Sequence, residues 1–177
     1  MKKNNNLIPI VTASLLAALC CVATMVIQIP TPTGGFVNLG DTVIILAASL
    51  LSPVYAFLSA AIGSALSDIL AGYAQYSIAT FVIKGLMALV MCILLRVFCK
   101  IAKDNAALSI LFTLLTALCG EVIMVAGYFV FEATVLSYGM GAVASVIPNI
   151  IQGTAGIIGG TMLVELVKRT KIKTYLH

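Results

Sequence analysis

Six apolar stretches dominate this chain, and the polar side chains inside them are placed unevenly. The stretches run over about 7–29, 40–52, 54–72, 77–98, 106–131 and 141–167. All but the second approach or exceed the roughly 20 apolar residues a helix needs to cross a hydrocarbon layer. The second must lie in a thinned region or borrow length from its flanks, because a helix rises only about 1.5 Å per residue. The runs are continuous and do not alternate, which predicts helices and argues against a barrel. Pro30 and the Pro32–Thr33–Gly34–Gly35 stretch close the first run, and Ser52–Pro53 parts the second from the third.

Composition agrees with this reading. Of 177 residues, 62% are hydrophobic and only 9% charged, against about 25% charged in a soluble domain. The expected fold class is therefore all-α integral membrane: one domain over 1–177 with six transmembrane helices. Lys2–Lys3 before an apolar run mimics a signal peptide. That run reaches about Ile29, so it reads as a retained first helix, and no lipidation motif accompanies it.

Charge sets the orientation. Lys2 and Lys3 precede the first stretch; Arg96, Lys100 and Lys103 follow the fourth; Lys168, Arg169, Lys171 and Lys173 follow the sixth. Four and then two crossings place all three clusters on one side, which the positive-inside rule makes cytoplasmic. Both termini are then expected inside a bacterial plasma membrane, and five crossings are rejected. The formal charge of +4 comes from these clusters and gives no nucleic-acid signal.

With that orientation, Asn38, Asp41, Asp68, Lys84, Glu121, Tyr128, Asn149 and Gln152 all fall toward the outer half. Segments 85–95, 106–118 and 153–164 hold no charge. An ionised group facing lipid at mid-bilayer costs roughly 2.5–3.5 kcal/mol on insertion scales, so such residues usually face a protein cavity. Glu121 and Tyr128 are seven apart and share a helix face, as do Ser145, Asn149 and Gln152. Pro148 frees a backbone carbonyl beside Asn149. Glu accepts hydrogen bonds, Asn and Gln both donate and accept, and Tyr adds a flat surface. Interhelical bonding is the plain alternative for the same residues. Lys84 is the only cation of the cup, and its alternative role is to neutralise Asp41, Asp68 or Glu121. Three carboxylates against one ammonium, with Glu132 nearer the rim, favour a neutral or weakly basic ligand rich in donors. The 31–41 loop, with its glycines and prolines, suits a lid, and Tyr73, Gln75 and Tyr76 form the neighbouring loop.

Other features are negative or weak. Cys20, Cys21, Cys92, Cys99 and Cys119 show no metal-ligand spacing and read as small buried hydrophobes. The single His, His177, forms no metal site. No Ser–His pair, P-loop or C-x-x-C is present, so neither an enzyme nor a cofactor of the chain's own is expected. Small residues recur every fourth position at Ala13, Ala17 and Cys21, at Ser59, Gly63 and Ser67, and at Gly156 and Gly160. Such stripes pack helices, and the first is the candidate for docking on another protein.

Taken in order, these residues resemble those of the substrate-binding S component of energy-coupling factor (ECF) vitamin transporters. The likeness rests on Ala13 and Ala17, the glycine-rich loop ending Asn38–Leu39–Gly40–Asp41, Thr80 to Leu86, and Pro148 to Gly153. The resemblance implies membrane-embedded binding of a B-type vitamin or precursor for ATP-driven import. It also implies a transmembrane coupling subunit and two ATPase subunits as partners, the latter using the ATP. The first external loop would cap the ligand, with contacts from the fourth to sixth helices. Carried over here, the substrate-binding set is Asn38, Asp41, Tyr76, Lys84, Glu121, Tyr128, Asn149 and Gln152, and docking falls on Ala13, Ala17 and Cys21. The subgroup resembles the hydroxymethylpyrimidine or pyridoxine type. A riboflavin type fits less well, and the absence of Trp argues against a thiamine type. The alternative reading is a stand-alone secondary transporter of a small heteroaromatic solute, which predicts polar residues through the full depth of the spans. An intramembrane enzyme would need Glu121 and Asp68 as acid and base. A purely structural subunit would have its polar residues bonding only one another.

Overall fold

The computed structural model describes residues 7–102 and 105–170. Lys2, Lys3, Lys103, Lys171, Lys173 and His177 lie outside the described residues. Six helices carry the fold: α1 (Leu7–Val26), α2 (Gly40–Leu50), α3 (Pro53–Leu70), α4 (Ser77–Ala102), α5 (Ala106–Thr134) and α6 (Val143–Arg169). All but α2 are long and apolar enough to cross a membrane. Single 3-10 turns at Ala74–Tyr76 and Gly139–Ala142 lead into α4 and α6.

The first apolar stretch ends earlier than expected. α1 stops at Val26, and Ile29–Pro30 (β1) pairs antiparallel with Phe36–Val37 (β2), in register Ile29 with Val37 and Pro30 with Phe36. The turn between them is held by Thr31 N–H to Gly35 O (2.8 Å) and Gly34 N–H to Thr31 O (3.1 Å). Gly34 sits at φ +80°, a backbone region that costs glycine little. Pro53 at the first turn of α3 starts that helix without losing a needed donor. Asn105 opens α5 by accepting Leu108 N–H at 3.0 Å. α5 runs to Thr134, three residues past the expected end, which puts Glu121 at the helix midpoint and not in its outer half.

α2 is the hub. All but two of its 11 residues are buried, and it touches α1, α3, α4 and α6. At about 1.5 Å per residue it rises only about half of a 30 Å hydrocarbon layer. Its neighbours make up the deficit by surrounding it. α6 comes close to α2 because Gly160 has no side chain: a Cβ there would lie 2.7 Å from Ile45 Cβ. α3 packs on α1 and α4, and α5 on α4 and α6.

Outside this core the large side chains face outward, with Leu15, Val26, Ile78 and Met162 all at least two-thirds exposed. Such a surface suits lipid. Cys99 and Cys119 belong to it, which corrects the expectation that all five cysteines are buried; Cys20, Cys21 and Cys92 are. Each exposed thiol sits on the outer face of its helix, where a small apolar group meets lipid as readily as core. Arg96, Lys100, Lys168 and Arg169 gather at the bundle end away from the hairpin, where Lys168 Nζ donates to Ser109 Oγ at 2.8 Å.

Candidate ligand chamber

The first turn of α2 anchors a buried polar chain. Gly40 lets α2 meet α1, since a Cβ there would collide with the Thr24 hydroxyl. Asn38 Oδ1 accepts Gly40 N–H at 2.9 Å, an Asx turn that starts the helix. Asp41 is completely buried. One of its oxygens takes the Lys84 ammonium and the other accepts Gln152 Nε2 at 2.6 Å. Its place in the first helical turn favours the charge further. Gln152 Oε1 in turn accepts Asn38 N–H at 2.9 Å. Lys84, Asp41, Gln152 and Asn38 therefore form one unbroken chain across α4, α2, α6 and the loop.

Beside this chain lies a small chamber of about 30 Å³, large enough for water, which needs roughly 10–15 Å³. Among the expected ligand residues, Asn38, Tyr76, Tyr128, Asn149 and Gln152 line it. Lys84 Nζ lies 5.6 Å from the Tyr128 ring centroid, a cation–π distance. Tyr128 Oη and Thr80 Oγ1 are 3.0 Å apart. Asp41 and Lys84, expected as ligand contacts, do not line the chamber; they are joined to each other, so the cup's cation is taken within the chain.

Glu121 does not line this chamber. It lies behind Asp41 at the seam of α5 and α6, where a Cβ on Gly156 would come within 2.8 Å of both Asp41 Cβ and Glu121 Oε1. Among the described residues neither of its carboxylate oxygens has a hydrogen-bond partner. From there it borders a groove between α5 and α6 that is otherwise apolar.

Two residues outside the expected set are part of the site. Glu132, 2% exposed, gathers three hydroxyls from three elements: Thr33 of the hairpin turn (2.9 Å), Tyr76 (3.1 Å) and Ser145 of α6. Tyr76 Oη also lies 2.8 Å from the Thr33 carbonyl, and Phe36 packs on Tyr73 with ring centroids 4.5 Å apart. The hairpin is thereby latched over the chamber. Asp68 of α3 also lines it, 5% exposed, with Oδ2 lacking a partner among the described residues. The available sequence signal for both was an acidic residue near a span end.

The expected docking stripe is largely internal. Ala13 and Cys21 are buried against the chain's own helices, and a Cβ on Gly63 of α3 would strike the Ala17 carbonyl. Ala17 itself is half-buried and, with Ala13, borders an outward groove between α1 and α3. Small residues bring α1 onto α3, and of the stripe only Ala13 and Ala17 border the outward groove beside that seam.

Comparison with known proteins supports the S-component resemblance but not its hydroxymethylpyrimidine or pyridoxine subgroup. A family model for the ECF-type riboflavin transporter S component matches residues 4–169. An "uncharacterized protein in gap 3'region" of Pyrococcus woesei is 35% identical over 149 residues, 84% of this chain and 93% of that protein. Two solved structures share the fold. One is the S component for biotin from an ECF-type ABC transporter (TM-score 0.65, 19% identity, 99% of this chain and 97% of that one). The other is the S component of a bacterial ECF transporter (TM-score 0.64, 17% identity, 95% and 100%).

Proposed function

The chain belongs to the ECF-type S components, and on that premise we propose that it captures a B-type vitamin or precursor from outside the cell for import by an ECF module. The observation that carries this reading is the latched chamber: a polar pocket at one end of an apolar bundle, roofed by a hairpin. S components bind a small molecule for the module and are not enzymes. In our reading the module consists of a transmembrane coupling subunit and two ATPase subunits that use the ATP. Positive-inside logic puts the basic end in the cytoplasm and the hairpin outside.

The ligand we propose is a flat, neutral or weakly basic nitrogen heterocycle. Tyr76 and Tyr128 offer ring faces, and α6 offers the Asn149 amide and, on the same face, the second amide hydrogen of Gln152, whose other contacts go to Asp41 and Asn38. Lys84 is paired, which disfavours phosphates and polycarboxylates. Hydroxymethylpyrimidine and pyridoxine fit this description, and riboflavin, the vitamin in the family's name, has the same edge chemistry. A vitamin-sized site needs about 300 Å³ or more, so binding requires the hairpin to lift and the side chains beneath it to part.

The test is direct. The purified chain in detergent is titrated calorimetrically with riboflavin, hydroxymethylpyrimidine and pyridoxine, and any co-purified small molecule is identified by mass spectrometry. One-to-one binding of at least one of them is expected, lost when Tyr128, Asn149 and Gln152 are all changed to Ala. No binding and no co-purified solute would sink the reading.

A further inference from the structure

Asp68 brings to the chamber a carboxylate oxygen that no described residue bonds. It stands near the end of α3, and its own carbonyl accepts Tyr73 N–H at 2.8 Å, which fixes the turn carrying Tyr76. The residue is 5% exposed, and it lines the chamber. Two of the donors around it are committed elsewhere, Lys84 to Asp41 and Tyr76 to the hairpin and Glu132, whereas Thr80 and Tyr128 share one hydrogen bond and keep one hydroxyl proton between them. Among the described residues Oδ2 is left without a partner. A carboxylate held out of water with a bare oxygen is costly, and an incoming donor relieves that cost. An ionised carboxylate only accepts, so it selects for N–H or O–H. Asn149, 7% exposed in the same chamber, offers both a donor and an acceptor.

We propose that Asp68 is a specificity residue that accepts a hydrogen bond from an N–H or O–H on the ligand's edge, while the Asn149 amide pairs with the group beside it. This rests on the vitamin-capture reading above. The selected class is a heterocycle with a donor–acceptor edge, such as an imide, an aminopyrimidine or a hydroxypyridine. A site built to bond a donor discriminates strongly against an analogue lacking it, because its own buried group is then stranded.

The experiment uses the full chain in detergent and ligand pairs that differ in one donor. Riboflavin is compared with 3-methylriboflavin, the aminopyrimidine with its dimethylamino form, and pyridoxine with its 3-methoxy form. Wild type should prefer the donor form of whichever pair it binds by tenfold or more. Asp68→Ala should weaken the donor form at least tenfold, leave the methylated form within about twofold, and so erase the preference. Asp68→Asn, isosteric and safe for folding, should reduce it part of the way. A preference unchanged in both variants, or absent in wild type, overturns the role of Asp68 while leaving capture intact. Failure of wild type to bind any probe instead removes the capture reading, and this inference with it.

Discussion

Lys84 and Asp41 meet where neither has access to water, and their pairing is the most consequential single contact in the molecule. Side-chain exposures are 3% and 0%. Removing one partner of such a pair strands the other charge, which typically costs about 3–5 kcal/mol. Lys84→Met should therefore destabilise the chain by about that amount in thermal unfolding in detergent. Adding Asp41→Asn should recover more than half of the loss, since Asn still accepts from Gln152. A single variant within about 1 kcal/mol of wild type would show that the pair is not structural. Glu121 makes the opposite case. With no donor to lose among the described residues, Glu121→Met should be neutral or stabilising, by up to about 3 kcal/mol, because it replaces an unpartnered buried polar group with an apolar one of similar length. A clear loss of stability would reveal a partner for the carboxylate. The sequence placed Lys84, Asp41 and Gln152 in one half of the bundle, because charges are excluded from lipid. It left open which acid takes the lysine: Asp41 and Lys84 are 43 positions apart, and helical spacing is silent across that distance.

At the scale of elements, the hairpin and its latch determine access to the chamber. Glu132 is their shared acceptor, so Glu132→Ala leaves the Thr33, Tyr76 and Ser145 hydroxyls without it. Amide exchange over residues 31–38 should quicken by tenfold or more, while the interior amides of α2 and α4 keep their protection. Uniform protection across both regions would mean that packing of Phe36 on Tyr73 holds the lid unaided. Helix existence, and most boundaries to within a few residues, were legible from apolar runs, Pro and Gly. The latch was not. Glu132 looked like a rim residue because its partners lie 99, 56 and 13 positions away on three elements, and β1 was hidden inside the tail of an apolar stretch. The small-residue stripe of α1 was legible as a packing surface, but its partner was not: α3 meets it at Gly63. Gly63→Leu should wedge α1 off α3 and cost about 1–3 kcal/mol by overpacking, measured by the same thermal unfolding.

Across the whole molecule, charge and polarity divide between the two ends. Apart from Lys84, the described basic side chains (Arg96, Lys100, Lys168 and Arg169) collect at one, and the chamber with its hairpin lies at the other. If the basic end is cytoplasmic, a cysteine-free variant bearing Gln75→Cys should react with an impermeant maleimide on intact cells. Lys100→Cys should react only after permeabilisation, and the reverse pattern would invert the proposed direction of capture. Delivery needs a second surface, and the seam between α1 and α3 supplies the candidate. Ala13 and Cys21 are enclosed, so a large residue there would disturb the fold and test nothing about docking. Ala17 is half-buried beside an outward groove flanked by Leu58 and Ile62, where a bulky side chain can point away from the core. Ala17→Trp should leave ligand affinity within about twofold, yet abolish uptake in cells that also express the ECF module. Unchanged uptake would place docking on another face, and loss of binding together with uptake would assign Ala17 to the fold alone.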